Sequence, residues 1–197
     1  PGDYALHTRS GDLEIGVGAD AVWMDMAPPT DGPTFSEQEQ EALYAAYGLS
    51  LTDRPEGLEP QAVSTGLMDI LLPVRDLATL DRAVQNEPEV TRLSEHYNVV
   101  GVHMFCPHTP DAAAHCRNFA PLYAIPEEAA TGTSNGALTY YLFRRGLIQA
   151  GADNRFVQGE KMGKPSEILS RITEDENGVK VRVGGRALIT LKCELLG

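Results

Sequence analysis

Residues 127–138 read Glu127-Glu128-Ala129-Ala130-Thr131-Gly132-Thr133-Ser134-Asn135-Gly136-Ala137-Leu138, an acidic pair, a run of small residues, and the opening of an apolar helix expected over 137–147. Small residues let backbone N–H groups come close to a ligand, because no bulky side chain stands between them. The first turn of a helix carries unpaired N–H donors and partial positive charge. Together these make a site for a carboxylate or phosphate. Glu128 lies just before that site, so a group that holds an acid adjoins a group that can move a proton. Taken alone, such a string is more often an ordinary helix start than a binding site, since Thr133, Ser134 and Asn135 are all common N-cap residues.

The rest of the chain narrows the choice. Its 197 residues suffice for one sizeable domain or two small ones. Hydrophobic residues make up 42% and charged residues 22%, the balance of an ordinary globular protein. Sixteen basic against 28 acidic residues give a net charge of −12. That argues against nucleic acid and anionic membrane surfaces as partners, both of which call for a basic face. An anionic small molecule is still allowed, because a local site can be positive while the whole is negative. No run of eighteen apolar residues and no basic-then-apolar leader is present, so neither a membrane span nor a signal peptide is expected. Cys106, Cys116 and Cys193 are odd in number and fit no zinc spacing; reduced thiols in a cytoplasmic protein are the simplest account, with no metal. Cys193 falls in an alternating segment and reads as a packed or edge-strand thiol.

Strands are expected over 4–8, 13–17 and 21–26, separated by Ser10-Gly11-Asp12 and Gly18-Ala19-Asp20. Three strands without a helix make a poor free-standing unit, so they belong to a sheet whose other members lie outside this chain. The turn-rich stretch 28–34 reads as a linker between an incomplete first domain (1–27) and a second (35–197). Ser36-Glu37-Gln38-Glu39 fits a capping box opening a helix to about Tyr47 and Gly48. Further strands are expected over 59–63, 68–74, 99–106, 114–119, 168–173, 180–183 and 186–195, with 158–166 a loop and Glu176-Asn177-Gly178 a hairpin turn. Helices are expected from Asp76 and from Glu87-Pro88. Hairpin-joined strands outnumber helices, which gives an α+β fold. No dinucleotide or phosphate-loop glycine signature occurs.

Four segments, taken in order, resemble one family. They are Val63-Ser64-Thr65-Gly66-Leu67 with the apolar run to Pro73-Val74; Arg117-Asn118-Phe119-Ala120-Pro121; Glu127 to Leu138; and Gln158-Gly159-Glu160 through Met162-Gly163-Lys164-Pro165-Ser166. Their order and spacing are similar to those of the phenazine-biosynthesis PhzF-like isomerases, relatives of diaminopimelate epimerase. The resemblance runs along nearly the whole chain and corresponds to the C-terminal two-thirds of a family member.

The resemblance implies a fold of two similar halves, each a sheet curled around a central helix, with the active site between them. It implies a cofactor-independent isomerase or epimerase that removes a proton from a small carboxylic acid and returns it. The family's commoner Asp-Pro-Ala-Thr-Gly-Ser is here Glu128-Ala129-Ala130-Thr131-Gly132-Thr133. By that match Glu128 is an assisting acid/base or a substrate contact, and Gly132, Thr133 and Ser134 bind the substrate carboxylate. Gln158, Gly159 and Glu160 lie near the cleft. Thr131 stands where related epimerases carry a catalytic Cys, which removes a two-thiol mechanism. Cys106 and Cys116 therefore read as structural. The family's principal acid/base Glu, and a Gly-His pair, belong to the first half and have no counterpart here. His7, His96, His103, His108 and His115 match no motif and read as surface or core residues; Arg117 either assists substrate or pairs within the sheet. The partners this implies are a small acid and the missing N-terminal half, on the same polypeptide or another chain. The alternative is a non-catalytic module that binds a small acid. An exposed sheet edge further implies self-association or a complementary chain.

Overall fold

A computed structural model describes residues 1–8, 11–107, 109–176 and 178–194. Among them, twelve strands and four α-helices follow the chain. Strands β1 (Gly2–Thr8), β2 (Gly11–Val17), β3 (Val22–Asp25) and β4 (Thr30–Thr34) precede helix α1 (Glu37–Ala45). Then come β5 (Gln61–Ser64), β6 (Met68–Pro73), α2 (Leu77–Arg82), α3 (Glu87–Tyr97), β7 (Gly101–Pro107), β8 (Ala114–Ala120) and β9 (Ile125–Glu128). Helix α4 (Gly132–Arg144) and strands β10 (Asp153–Gln158), β11 (Ser166–Asp175) and β12 (Gly178–Gly185) complete the order.

The strands form one sheet in the order β1-β2-β3-β12-β11-β10-β8-β7-β6-β5-β4, with β9 added to β8. Pairing is antiparallel except for β6 with β7 and β10 with β8. Those two parallel pairs need crossovers. The first carries α2 and α3; the second carries β9 and α4. The crossovers cover opposite faces. Ile70, Leu72 and Met104 pack with Leu43, Tyr44 and Tyr47 of α1 and the turn that follows it. Leu71, Phe105 and Phe156 pack with Leu138 and Tyr141 of α4. Strand β6 therefore buries both faces, which is why it reads as an unbroken apolar run rather than an alternating one. Helix α4 touches β5 and β6 on one side and β11 and β12 on the other.

Helix starts follow their capping chemistry. Ser36 Oγ accepts from the Glu39 N–H while Glu39 Oε2 accepts from the Ser36 N–H at 2.7 Å, the expected capping box. Asp76 accepts from the Thr79 N–H at 2.7 Å. Asn86 caps α3, with Pro88 in its first turn.

Several expectations need correction. The stretch read as a linker holds a strand, β4, which pairs with β5 across an irregular register. Pro33 is tolerated there because β4 is the sheet's edge, where a missing N–H breaks no ladder. Residues 1–27 are hydrogen-bonded into the same sheet through β3 and β12. The acidic pair is not in a loop but ends β9, and α4 starts at Gly132 rather than at 137. Strand β10 was not anticipated; Asp153-Asn154-Arg155 hides its strand character behind three polar residues. Residues 186–194, expected as the last strand, form none, and Cys193 is exposed outside any element. The β11–β12 hairpin is present. Its Asn177 lies outside the described residues, as does His108.

Candidate functional site

The acidic pair splits across the two faces of β9. Glu127 turns to Arg117 and forms a two-pronged ion pair, Nε to Oε1 and Nη2 to Oε2, each 2.9 Å. The remaining Arg117 nitrogen, Nη1, donates to the carbonyls of Leu80 and Ala83 at the end of α2. Arg117 is thereby used within the protein. Glu128 turns the other way, half-buried, and accepts from Thr131 Oγ1 at 3.3 Å.

Thr131 is the N-cap of α4, but its side chain caps no amide. Its carbonyl begins the helix by accepting from the Asn135 N–H at 3.3 Å. Among the described residues, no protein acceptor meets the N–H groups of Gly132, Thr133 or Ser134. Those three amides are the unpaired donors of the helix end.

A buried polar frame holds this end in place. Gln158, fully buried, donates from Nε2 to the Glu128 carbonyl (2.7 Å) and to Thr131 Oγ1 (3.0 Å), and its Oε1 accepts from Asn135 Nδ2 (2.9 Å). One amide thus ties the end of β9 to the first turn of α4. Gly159 adopts φ +83°, and a Cβ there would meet the Ala129 carbonyl at 2.7 Å, so backbone lies directly on backbone. Thr65 Oγ1 donates to the Thr133 carbonyl at 2.9 Å. Gly136 lets Thr65 approach, since a Cβ there would stand 2.9 Å from the Thr65 hydroxyl.

Of the residues expected at the site, Glu128, Gly132, Thr133, Ser134, Gln158 and Gly159 come together. Their roles differ from a simple lining. Ser134 is buried and its hydroxyl points inward, 2.5 Å from Asp69 Oδ2. Gln158 and Gly159 support the loop from beneath. Glu160 lies elsewhere: its carboxylate meets His115 Nδ1 at 2.6 Å, and Asp111 meets the other ring nitrogen at 3.1 Å. Burial opposes the charged ring of His115, but the two carboxylates outweigh it and raise its pKa.

Sequence reasoning missed Asp69; His103, read as a surface or core residue, is a core one. Asp69 is buried in β6 and also accepts the Gly101 N–H. Burial pushes its pKa up to about 6, with the negative charge of Glu128 adding to the effect and the two hydrogen bonds opposing it. Its signal was a lone carboxylate inside an apolar run. His103 is fully buried with Nδ1 3.0 Å from Asn118 Oδ1, and burial holds its pKa down to about 4, so the ring is neutral. Cys106 and Cys116 are buried thiols whose pKa burial raises, Cys106 to about 11. Among the described residues, no cluster of His, Cys, Asp and Glu could hold a metal ion, and no helix is long and apolar enough to cross a membrane.

The sequence signature of the phenazine biosynthesis-like proteins, PhzC-PhzF, matches residues 2–193. An uncharacterized isomerase of Deinococcus radiodurans is 33% identical over 181 residues, which are 90% of this chain and 58% of that protein. The trans-2,3-dihydro-3-hydroxyanthranilate isomerase of Pseudomonas fluorescens is 36% identical over 85 residues, 38% of this chain and 30% of that protein. The crystal structure of a Bacillus anthracis phenazine biosynthesis protein of the PhzF family superposes with a TM-score of 0.81 at 23% identity, covering 93% of this chain and 64% of that one. The chain thus spans less than two-thirds of the length of these proteins.

Proposed function

The chain belongs to the phenazine biosynthesis-like family, and from that premise we propose that it is the acid-binding part of an isomerase or epimerase. The substrate is a small carboxylic acid, the chemistry is proton removal and return, and no organic cofactor or metal takes part. One observation carries the reading: half-buried Glu128 stands four residues ahead of the first of the unpaired first-turn amides of α4. Those amides hold the substrate carboxylate, and the helix end favours its charge by roughly 0.3–1 kcal/mol, more in a dry cleft. Glu128 then lies where a proton on a neighbouring carbon can be handled. Gln158 acts through the loop, as a positioning residue.

In this reading α4 is the central helix of one half of an epimerase-like fold, with the sheet curled around it. The other half of the cleft, with a second acid/base, comes from the length of the relatives that this chain does not match. The chain alone is then inactive, and its proper partner is such a segment, in the same polypeptide or another.

The test combines the chain with the part of the Deinococcus radiodurans relative that it does not match. Deuterium uptake at substrate carbon is followed by NMR in heavy water, over dihydro-hydroxyanthranilate-type and other small acids. Uptake that falls about 100-fold or more in Glu128→Gln supports the isomerase. Binding without uptake points to a non-catalytic acid-binding module. No binding of any small carboxylate sinks both readings.

A further inference from the structure

We propose that Asp69 is a positioning residue whose protonation state sets how tightly the open end of α4 holds an anion, so that an organic acid binds together with a proton. This rests on the acid-binding reading of that helix end. Asp69 comes from β6, a different strand from β9, which carries Glu128, yet its carboxyl group reaches the first turn of α4. Oδ2 lies 2.5 Å from Ser134 Oγ, one residue after Thr133. The group is only 3% exposed, so solvent screens it little. An ionised Asp69 therefore draws on the same positive helix end that would hold a substrate carboxylate.

The neighbours leave this charge uncompensated. Glu128, on β9, is itself acidic and pushes Asp69 toward its neutral form. Tyr47, in the turn after α1, feels the charge of Asp69 but is fully buried, and burial keeps its hydroxyl protonated. His103, on β7 beside Asn135 of α4, is neutral. The groups that favour the ionised form are the Ser134 hydroxyl and the Gly101 N–H, neither of them a cation. A second anion at Gly132–Ser134 raises the cost of keeping Asp69 charged, and the simplest relief is uptake of one proton from solvent. Binding and protonation are then linked, and each favours the other.

The sign follows directly. Below about pH 6 Asp69 is largely neutral and the helix end is free to hold an anion. As pH rises through that value the carboxylate forms and affinity falls. The probe is benzoate, ionised from about pH 5.5 to 8, titrated into the full chain while the Gly132–Ser134 amide signals are followed by NMR. Wild type is expected to bind about tenfold more weakly at pH 8 than at pH 5.5. Asp69→Asn should bind tightly and without that slope. Ser134→Ala removes a hydrogen bond that favours the ionised form, so its inflection should move to higher pH. That shift also serves as the deciding measurement if Asp69→Asn does not fold. A flat wild-type profile, an unchanged slope in Asp69→Asn, or an unmoved inflection in Ser134→Ala overturns the proposal while the acid site stands. No benzoate binding at any pH, in any of the three proteins, overturns the acid site and this proposal together.

Discussion

Arg117 shows how a single residue settles between two readings. Its guanidinium is buried and meets Glu127 through two nitrogens, while the third nitrogen closes the carbonyl end of α2. A lysine could not reproduce that planar fork. Removing the side chain strands a half-buried carboxylate and two carbonyls, which costs about 3–5 kcal/mol. Arg117→Ala is therefore expected to lower the urea midpoint sharply, and Arg117→Lys to recover only part of the loss. Equal stability of Arg117→Ala and wild type would contradict this account of the residue. Gly159 makes a second case. Alanine there meets both a φ of +83° and the Ala129 and Lys164 carbonyls. Overpacking of this kind costs about 1–3 kcal/mol, and the displaced segment is the one that positions Glu128. Gly159→Ala should weaken benzoate binding at a temperature where the fold is intact, a loss that melting and titration on one sample would separate.

At the level of elements, the turn after β10 is fastened to α2 and β8. Lys161 reaches Asp81 of α2 at 2.8 Å, and Glu160 reaches His115 of β8. His115 sits between two carboxylates, and only the imidazolium can donate to both. Its folded pKa is raised above its unfolded value, so its stabilisation is complete below the unfolded pKa and is lost as pH rises through the folded one. The stability gap between wild type and His115→Gln should be widest below about pH 6.5 and narrow above it. A gap constant from pH 5.5 to 9 by urea unfolding would remove the imidazolium from the account. The same element shows what sequence can convey. Capping at Ser36 and Asp76, the apolar run of β6 and the β11–β12 hairpin are local signals, and each was legible. The stretch from Glu128 to Thr133, which ends β9 and opens α4, was legible as a candidate because its chemistry is contiguous. The partners of that stretch were not, because they arrive from β6, β8 and β10 through sheet pairing. Gln158 read as a lining residue and Glu160 as its neighbour in the cleft; β10 ends at Gln158, and the left-handed turn at Gly159 sends Glu160 to His115 instead.

Across the whole molecule, the sheet has two ends of different character. At one end β4 carries Pro33 and an irregular register, both of which discourage a further strand. At the other end β1 lies exposed along its length, with Tyr4 58% and Leu6 51% accessible. Beyond β12, residues 186–194 run without secondary structure and present Leu188, Ile189 and Leu191, each at least three-quarters exposed. Their alternating, β-forming sequence was read as a strand, and none forms among the described residues. What is lacking among the described residues is a neighbour to supply the other half of the ladder, and a strand does not exist without one. Burying such a side chain gains roughly 1.5–3 kcal/mol before ordering costs, enough to favour pairing of copies. The net charge of −12 opposes that association at low salt and is screened at high salt. The isolated chain is therefore expected to self-associate in sedimentation velocity runs, more strongly at 0.5 M than at 0.02 M salt. The paired substitution Leu188→Glu with Ile189→Lys should return it to a monomer with an unchanged melting midpoint. A wild-type chain that sediments as a monomer at tens of micromolar in high salt would show that these exposed surfaces do not pair copies of the chain.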